Sequence, residues 1–77
     1  MLYKARYIAL RQELVQARLQ AGLTQQQLAQ SIYKLQSFVS KVETGERYLD
    51  VIDFVSWCDA LDASATEMIA KIQSISI

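Results

Sequence analysis

The chain has no histidine and no proline, a single cysteine, and two glycines in 77 residues. Each shortage excludes something. Without histidine there is no imidazole for acid–base chemistry or metal ligation near neutral pH. Cys58, alone, closes no intramolecular disulfide and supplies one thiolate at most. With glycine only at Gly22 and Gly45, few positions interrupt a helix. Net charge is also lacking: eight Lys and Arg balance eight Asp and Glu, which argues against a polybasic surface that grips nucleic acid or membrane all over. No stretch approaches the roughly 20 apolar residues of a membrane span, and no leader precedes a cleavage site, so a cytoplasmic location is expected.

What is present is a 52% apolar composition rich in Ala, Leu, Gln, Glu, Lys and Arg. That composition predicts an all-α chain with a packed core, one domain over residues 1–77. A domain this small buries only about 60% of its unfolded surface, so its stability is expected to be modest or borrowed from a partner. Tyr3, Tyr7, Leu10, Leu14, Ala17 and Ala21 recur in steps of three and four, tracing one stripe of a helix over about 2–21. Gly22 supplies the left-handed position after it. Thr24 and Gln27 form a capping box opening a second helix, about 25–32, with Leu28, Ala29 and Ile32 inward. A joint at Tyr33–Leu35 leads to a third helix, about 36–43, ending near Gly45. Asp50 caps a fourth over 51–61, with Val51, Phe54, Trp57, Cys58 and Leu61 on one side. Ser64 and Glu67 make a second capping box for a fifth helix over 65–74, with Met68, Ile69 and Ile72 inward or at a contact.

The second and third helices have helix-turn-helix spacing, over about 25–43. At about 100° per residue, Ser37, Ser40, Lys41 and Thr44 fall on the side of Gln36, opposite Phe38, Val39 and Val42. The outer face thus holds an amide, hydroxyls and a cation, with no carboxylate. Such a face suits a DNA groove: amides and hydroxyls meet base edges, and Lys meets phosphate or guanine. Taken alone, such a face is more often only a solvated helix surface.

The blocks Gly22-Leu23-Thr24-Gln25-Gln26-Gln27-Leu28-Ala29 and Gln36 to Arg47 closely resemble the Cro/C1-type (XRE, lambda-repressor-like) helix-turn-helix regulators, from about Leu10 to Ile69. The resemblance implies a compact five-helix domain that binds double-stranded operator DNA, usually as a two-fold dimer. It implies that Gln25 contacts a phosphate and braces the recognition helix, and that Gln36 meets adenine. By the same resemblance Ser37, Ser40 and Lys41 face the groove, and Thr44 and Arg47 meet phosphates. Arg18 and Glu43 match a structural ion pair locking the first helix to the third. Two positions depart from the pattern. Tyr33 stands where glycine is usual, so it is either strained or takes a different turn. Leu35 stands where Ser, Thr or Pro caps the recognition helix, and either lacks that cap or touches a thymine methyl. Lys34 keeps a cation within reach of a phosphate.

Elsewhere the blander readings prevail. Cys58 is expected to be a small buried hydrophobe, with a redox-sensing thiol as the minority reading. Tyr3 and Tyr7 are expected to pack, and Tyr48 is open. Ser31, Ser56 and Ser64 have no basic partner, and Asp50, Asp53, Asp59, Asp62 and Glu67 lack calcium-loop spacing, so no enzyme activity, metal or cofactor is expected. Ile52 and Val55 turn from the main stripe, and Ile72, Ile75 and Ile77 extend an apolar C-terminal edge, so a homodimer through Ile52, Val55, Ile69 and Ile72 is expected. The alternative is that the terminal isoleucines complete the monomer core.

Zero charge is itself a cancellation. Residues 1–47 hold seven Lys and Arg against three acids, and residues 48–77 hold Lys71 against five. A stand-alone regulator with no small-molecule effector is the expectation. Its rivals are an antitoxin or restriction-control subunit that binds DNA and a partner protein, and a helical adaptor that does not bind DNA.

Overall fold

A computed structural model describes residues 4–76. Among these, five helices follow in order: α1 (Ala5–Gln20), α2 (Gln25–Ser31), α3 (Gln36–Thr44), α4 (Val51–Leu61) and α5 (Ala65–Gln73). Tyr3 and Ile77 lie outside the described residues, as does the start of the first helix expected near residue 2.

The helix ends explain how so little glycine suffices. α1 ends in a Schellman motif: Gly22 N–H reaches Leu19 O (3.1 Å), Leu23 N–H reaches Arg18 O (3.2 Å), and Gly22 is left-handed at φ 74°. The same pair of bonds recurs after α2, around Tyr33, after α3, around Gly45, and after α4, around Asp62. Thus two of the four left-handed positions are not glycine: Tyr33 (φ 58°) and Asp62 (φ 53°). Asp tolerates this region better than an aromatic residue does. Of the two outcomes open for Tyr33, strain is the one adopted, and its side chain is 95% exposed, so no burial offsets it. Tyr33→Gly is therefore expected to stabilise the chain by about 1 kcal/mol, raising Tm by a few degrees in thermal unfolding. A lower Tm would show that the exposed ring contributes more than its backbone costs.

Helix starts follow the sequence with one shortfall. Thr24 and Gln27 make both bonds of the capping box, and Asp50 accepts from Asp53 N–H at 2.8 Å. Ser64 accepts from Glu67 N–H (3.2 Å), but the return bond from Glu67 is missing, so this cap is half a box. Leu35 sits at the α3 N-cap and makes no side-chain bond.

Leu14, Leu28, Ala29, Val39, Val42, Phe54, Trp57, Cys58, Leu61 and Met68 form one core, with Ile32 and Phe38 at its edge. Trp57 is fully buried, its indole N–H has no partner, and its ring centroid lies 6.3 Å from that of Phe38. Two positions expected on inward stripes are exposed. Ala21 is the C-cap residue of α1, one step beyond the last packed alanine, Ala17. Val51 (68% exposed) occupies the first turn of α4, and the buried stripe starts one turn later at Phe54. Burial raises the Cys58 thiol above its ordinary range, and the Asp59 charge adds to this, so the group stays a neutral apolar filler.

α5 packs along α1 and is clipped at its end: Arg6 donates to Ile75 O (2.9 Å) and Gln73 O (3.2 Å). Ile72 and Ile75 are half-buried there, so this part of the apolar edge does fold back on the monomer. Lys71 also pairs with Glu13 at 2.8 Å, an exposed contact of small energetic weight. No helix among the described residues is long and apolar enough to cross a membrane.

Candidate nucleic-acid interface

α2 and α3 are joined through residues 32–35, and α3 divides sharply along its axis. Phe38, Val39 and Val42 are buried, while Gln36, Ser37, Lys41 and Thr44 are exposed and Ser40 is half-exposed. No carboxylate lies on that outer face. The only acid in α3, Glu43, points inward, and its side chain is 5% exposed.

Glu43 is the centre of a bracing network beneath this face. Arg18 Nε donates to Glu43 Oε2 (2.7 Å) and Arg18 Nη2 to Oε1 (3.0 Å), a two-pronged pair. Arg18 Nη1 continues to Leu23 O at 2.8 Å, in the turn between α1 and α2. Gln25 Nε2 donates to Glu43 Oε1 at 2.9 Å. One carboxylate therefore ties α1, the start of α2 and the end of α3 into a fixed angle. Two parallel N–H···O bonds between planar groups define orientation as well as distance, which a single lysine contact would not.

The segment after α3 is held from several directions. Tyr7 in α1 donates its hydroxyl to Arg47 O (2.8 Å) and accepts from Leu49 N–H (3.0 Å). Its ring meets that of Tyr48 edge-on at 4.7 Å. Burial raises the Tyr7 hydroxyl above the usual phenol range, against the opposing pull of the Leu49 N–H and the Arg11 charge. It is therefore protonated at neutral pH and can donate. The Arg11 guanidinium lies across Gly45 on the side where a larger residue would carry its Cβ, a flexible group that could move aside, so it is the left-handed φ of 83° that calls for glycine here.

The cations flanking α3 are less free than their sequence positions suggest. The Arg47 guanidinium sits 4.7 Å from the Phe38 ring centroid, and the Lys34 ammonium 5.0 Å from the same ring. Lys34 also lies 3.6 Å from Asp53 Oδ1 in α4. The Thr44 hydroxyl donates to Glu46 Oε2 at 2.9 Å and lies 3.3 Å from Lys41 O. Glu46 thus brings a carboxylate to the edge of the otherwise acid-free surface. Leu35, 77% exposed, adjoins Gln36 at the entry to α3.

The sequence places Tyr7 in packing only, gives no role to Arg11 or Glu46, and gives Asp53 no more than a helix cap or solvated face. The apolar spacing of Tyr7 in α1 was real, but its hydroxyl partners lie 40 and 42 residues away. No local pattern carries such a contact. Among the described residues no cluster of His, Cys, Asp and Glu could hold a metal ion.

A helix-turn-helix family profile matches residues 14–68. The chain is similar to the structure of an XRE-family like protein from Pseudomonas syringae pv. tomato str. DC3000, with 41% identity, a TM-score of 0.87, and coverage of 95% of this chain and 89% of that one. It shares its fold with the clp gene regulator ClgR from C. glutamicum, at 24% identity and a TM-score of 0.80, covering 91% of this chain and 90% of that one. A search of curated proteins found no match. With the profile spanning most of its length and the first of these structures aligned over nearly all of it, the chain belongs to the helix-turn-helix family of XRE, or Cro/C1, type, a family of DNA-binding transcription regulators.

Proposed function

We propose that this domain is a sequence-specific regulator that binds a pseudo-palindromic operator as a homodimer and acts by occupancy. The observation that carries this reading is the outer face of α3: Gln36, Ser37, Ser40 and Lys41 exposed, no acid among them, and a buried carboxylate network bracing the helix from behind. In this reading α3 enters the major groove, and Gln36 offers its amide to the N6 and N7 edge of adenine. Ser37 and Ser40 meet neighbouring base edges, and Lys41 meets guanine or phosphate. Gln25, Lys34, Thr44 and Arg47 meet phosphates at the two ends of the helix. Lys34 would exchange a 3.6 Å pair with Asp53 for a phosphate oxygen, a small loss at an exposed site. Thr44 is the weakest member of the set, because its hydroxyl must leave Glu46.

Ile52 (72% exposed), Val55 and Ile69 support the dimer, with Ile72 at its margin. Val55 and Ile69 line a shallow apolar groove of about 320 Å³ between α4 and α5, together with Val51, Phe54 and Ala65, while Ile52 and Ile72 lie outside its lining. A C2 pair through it would present two recognition helices to half-sites about 34 Å apart, one DNA turn. The cytoplasm is the compartment this function requires, and no small-molecule effector is invoked.

Selection of bound sequences from random double-stranded DNA tests the whole reading. The expected result is a consensus of two inverted half-sites one turn apart. A consensus with a single half-site would remove the dimer and keep the regulator, and no enrichment would remove both. On the selected operator, Gln36→Ala is expected to lose about 1–3 kcal/mol of discrimination at one base pair per half-site. Competition against operators altered at each position measures this, and an unchanged preference everywhere would take Gln36 out of base reading.

A further inference from the structure

We infer that Tyr7 is a positioning residue for DNA binding: through its hydroxyl it sets the segment after α3 so that Arg47 meets a phosphate. This rests on the reading of α3 as the recognition helix.

The argument starts from the two ends of Arg47. Its carbonyl is fixed by the Tyr7 hydroxyl at 2.8 Å, and its guanidinium rests over the Phe38 ring at 4.7 Å. Both anchors belong to other elements, α1 and α3. The hydroxyl that accepts from Leu49 N–H is the one that donates to Arg47 O, so one atom closes a three-residue span of backbone. In the described residues nothing else in helical or turn bonding holds these two groups. Residues 46–50 contain no helix, and Arg47, Tyr48 and Asp50 are exposed. Without the clasp the span would sample many backbone states, and ordering it would be charged against binding. With the clasp, that entropy is already lost in the free protein. Tyr48, within the same span, meets the Tyr7 ring edge-on at 4.7 Å.

Only the hydroxyl is at issue, so Tyr7→Phe is the decisive variant: it keeps the ring and its contact with Tyr48. The full chain and its Arg47→Ala and double variants are titrated with the selected operator over a range of salt concentrations. Loss of one phosphate contact lowers the slope of log Kobs against log salt by about one. Tyr7→Phe is expected to lower the slope as Arg47→Ala does and to weaken binding about tenfold, a charge-assisted hydrogen bond's worth. Base preference should be unchanged, and the double variant should lose no more than Arg47→Ala alone. A purely structural tyrosine would lower Tm and leave the slope in place.

A second readout needs no DNA. Hydrogen exchange at the Leu49 amide should quicken in Tyr7→Phe while core amides keep their protection. An unchanged slope in Tyr7→Phe beside a lowered slope in Arg47→Ala would overturn the positioning role and leave DNA binding intact. Additive losses in the double variant would do the same. An Arg47→Ala slope equal to that of the unaltered chain would overturn it by removing the phosphate contact. Failure of the unaltered chain to bind any selected DNA would instead overturn the regulator reading on which this rests.

Discussion

Glu43→Ala is expected to cost about 3–5 kcal/mol, the largest stability loss of any single exposed-to-DNA or bracing position. The reason lies in what the substitution leaves behind. Arg18 is 12% exposed at its side chain and keeps only Leu23 O as a partner, so a partly buried guanidinium loses its counter-charge. Gln25 loses its acceptor at the same time. A domain of this size has total stability at the lower end of about 5–15 kcal/mol, so much of the population would unfold at physiological temperature. Glu43→Gln separates the parts: it retains acceptors for some of the bonds and removes the charge, so an intermediate loss is expected. Thermal unfolding followed by circular dichroism reads both. A loss below about 1 kcal/mol in Glu43→Ala would place the pair with ordinary surface salt bridges and remove its bracing role.

Lys41→Glu is expected to abolish operator binding while the fold survives. Lys41 is exposed in the last turn of α3, and its main-chain carbonyl, not its ammonium, is the group that the Schellman turn uses. The reversed charge would lose one favourable phosphate or guanine contact and place a carboxylate against the phosphate walls. Like-charge juxtaposition of this kind costs several kcal/mol, a loss of about a thousandfold at every sequence. The accompanying loss of a cation near the helix C-terminus is worth only about 0.3–1 kcal/mol of stability. Electrophoretic or fluorescence titration against the selected operator measures the effect, with Lys41→Ala as the neutral comparison. Binding reduced less than tenfold by Lys41→Glu would mean that this face of α3 does not approach DNA.

These two residues also mark how far the sequence is readable. The outer face of α3, with Lys41 on it, follows from 3.6-residue periodicity, and all of its exposed members lie where the wheel places them. Helix bounds are equally local: Thr24, Gln27, Asp50 and Gly22 act through bonds to residues three or fewer positions away. The Arg18–Glu43 pair is different in kind. Its partners are 25 residues apart, and family resemblance, not pattern, brought them together. Where neither local pattern nor resemblance reaches, contacts are not legible in the sequence. Lys34 with Asp53, Tyr7 with Arg47 and Leu49, and Arg11 over Gly45 each join elements whose relative placement only the packed core decides. Val51 fits the stripe of its helix and is exposed because a helical stripe says which side faces inward and not how far along it the core extends. Tyr33 presented two outcomes, and the one adopted depends on the turn that α2 and α3 need to meet at their packed angle.

Trp57 gives all these variants a common internal control. It is the only tryptophan in the chain, it has no exposed surface, and it contacts the core and not the outer face of α3. Its fluorescence therefore responds to water entering the core and is remote from ligand docking on the recognition surface. A variant that loses DNA but keeps the emission of a dry indole has lost recognition. One whose emission moves to the red has lost its core, and a single cuvette distinguishes the two.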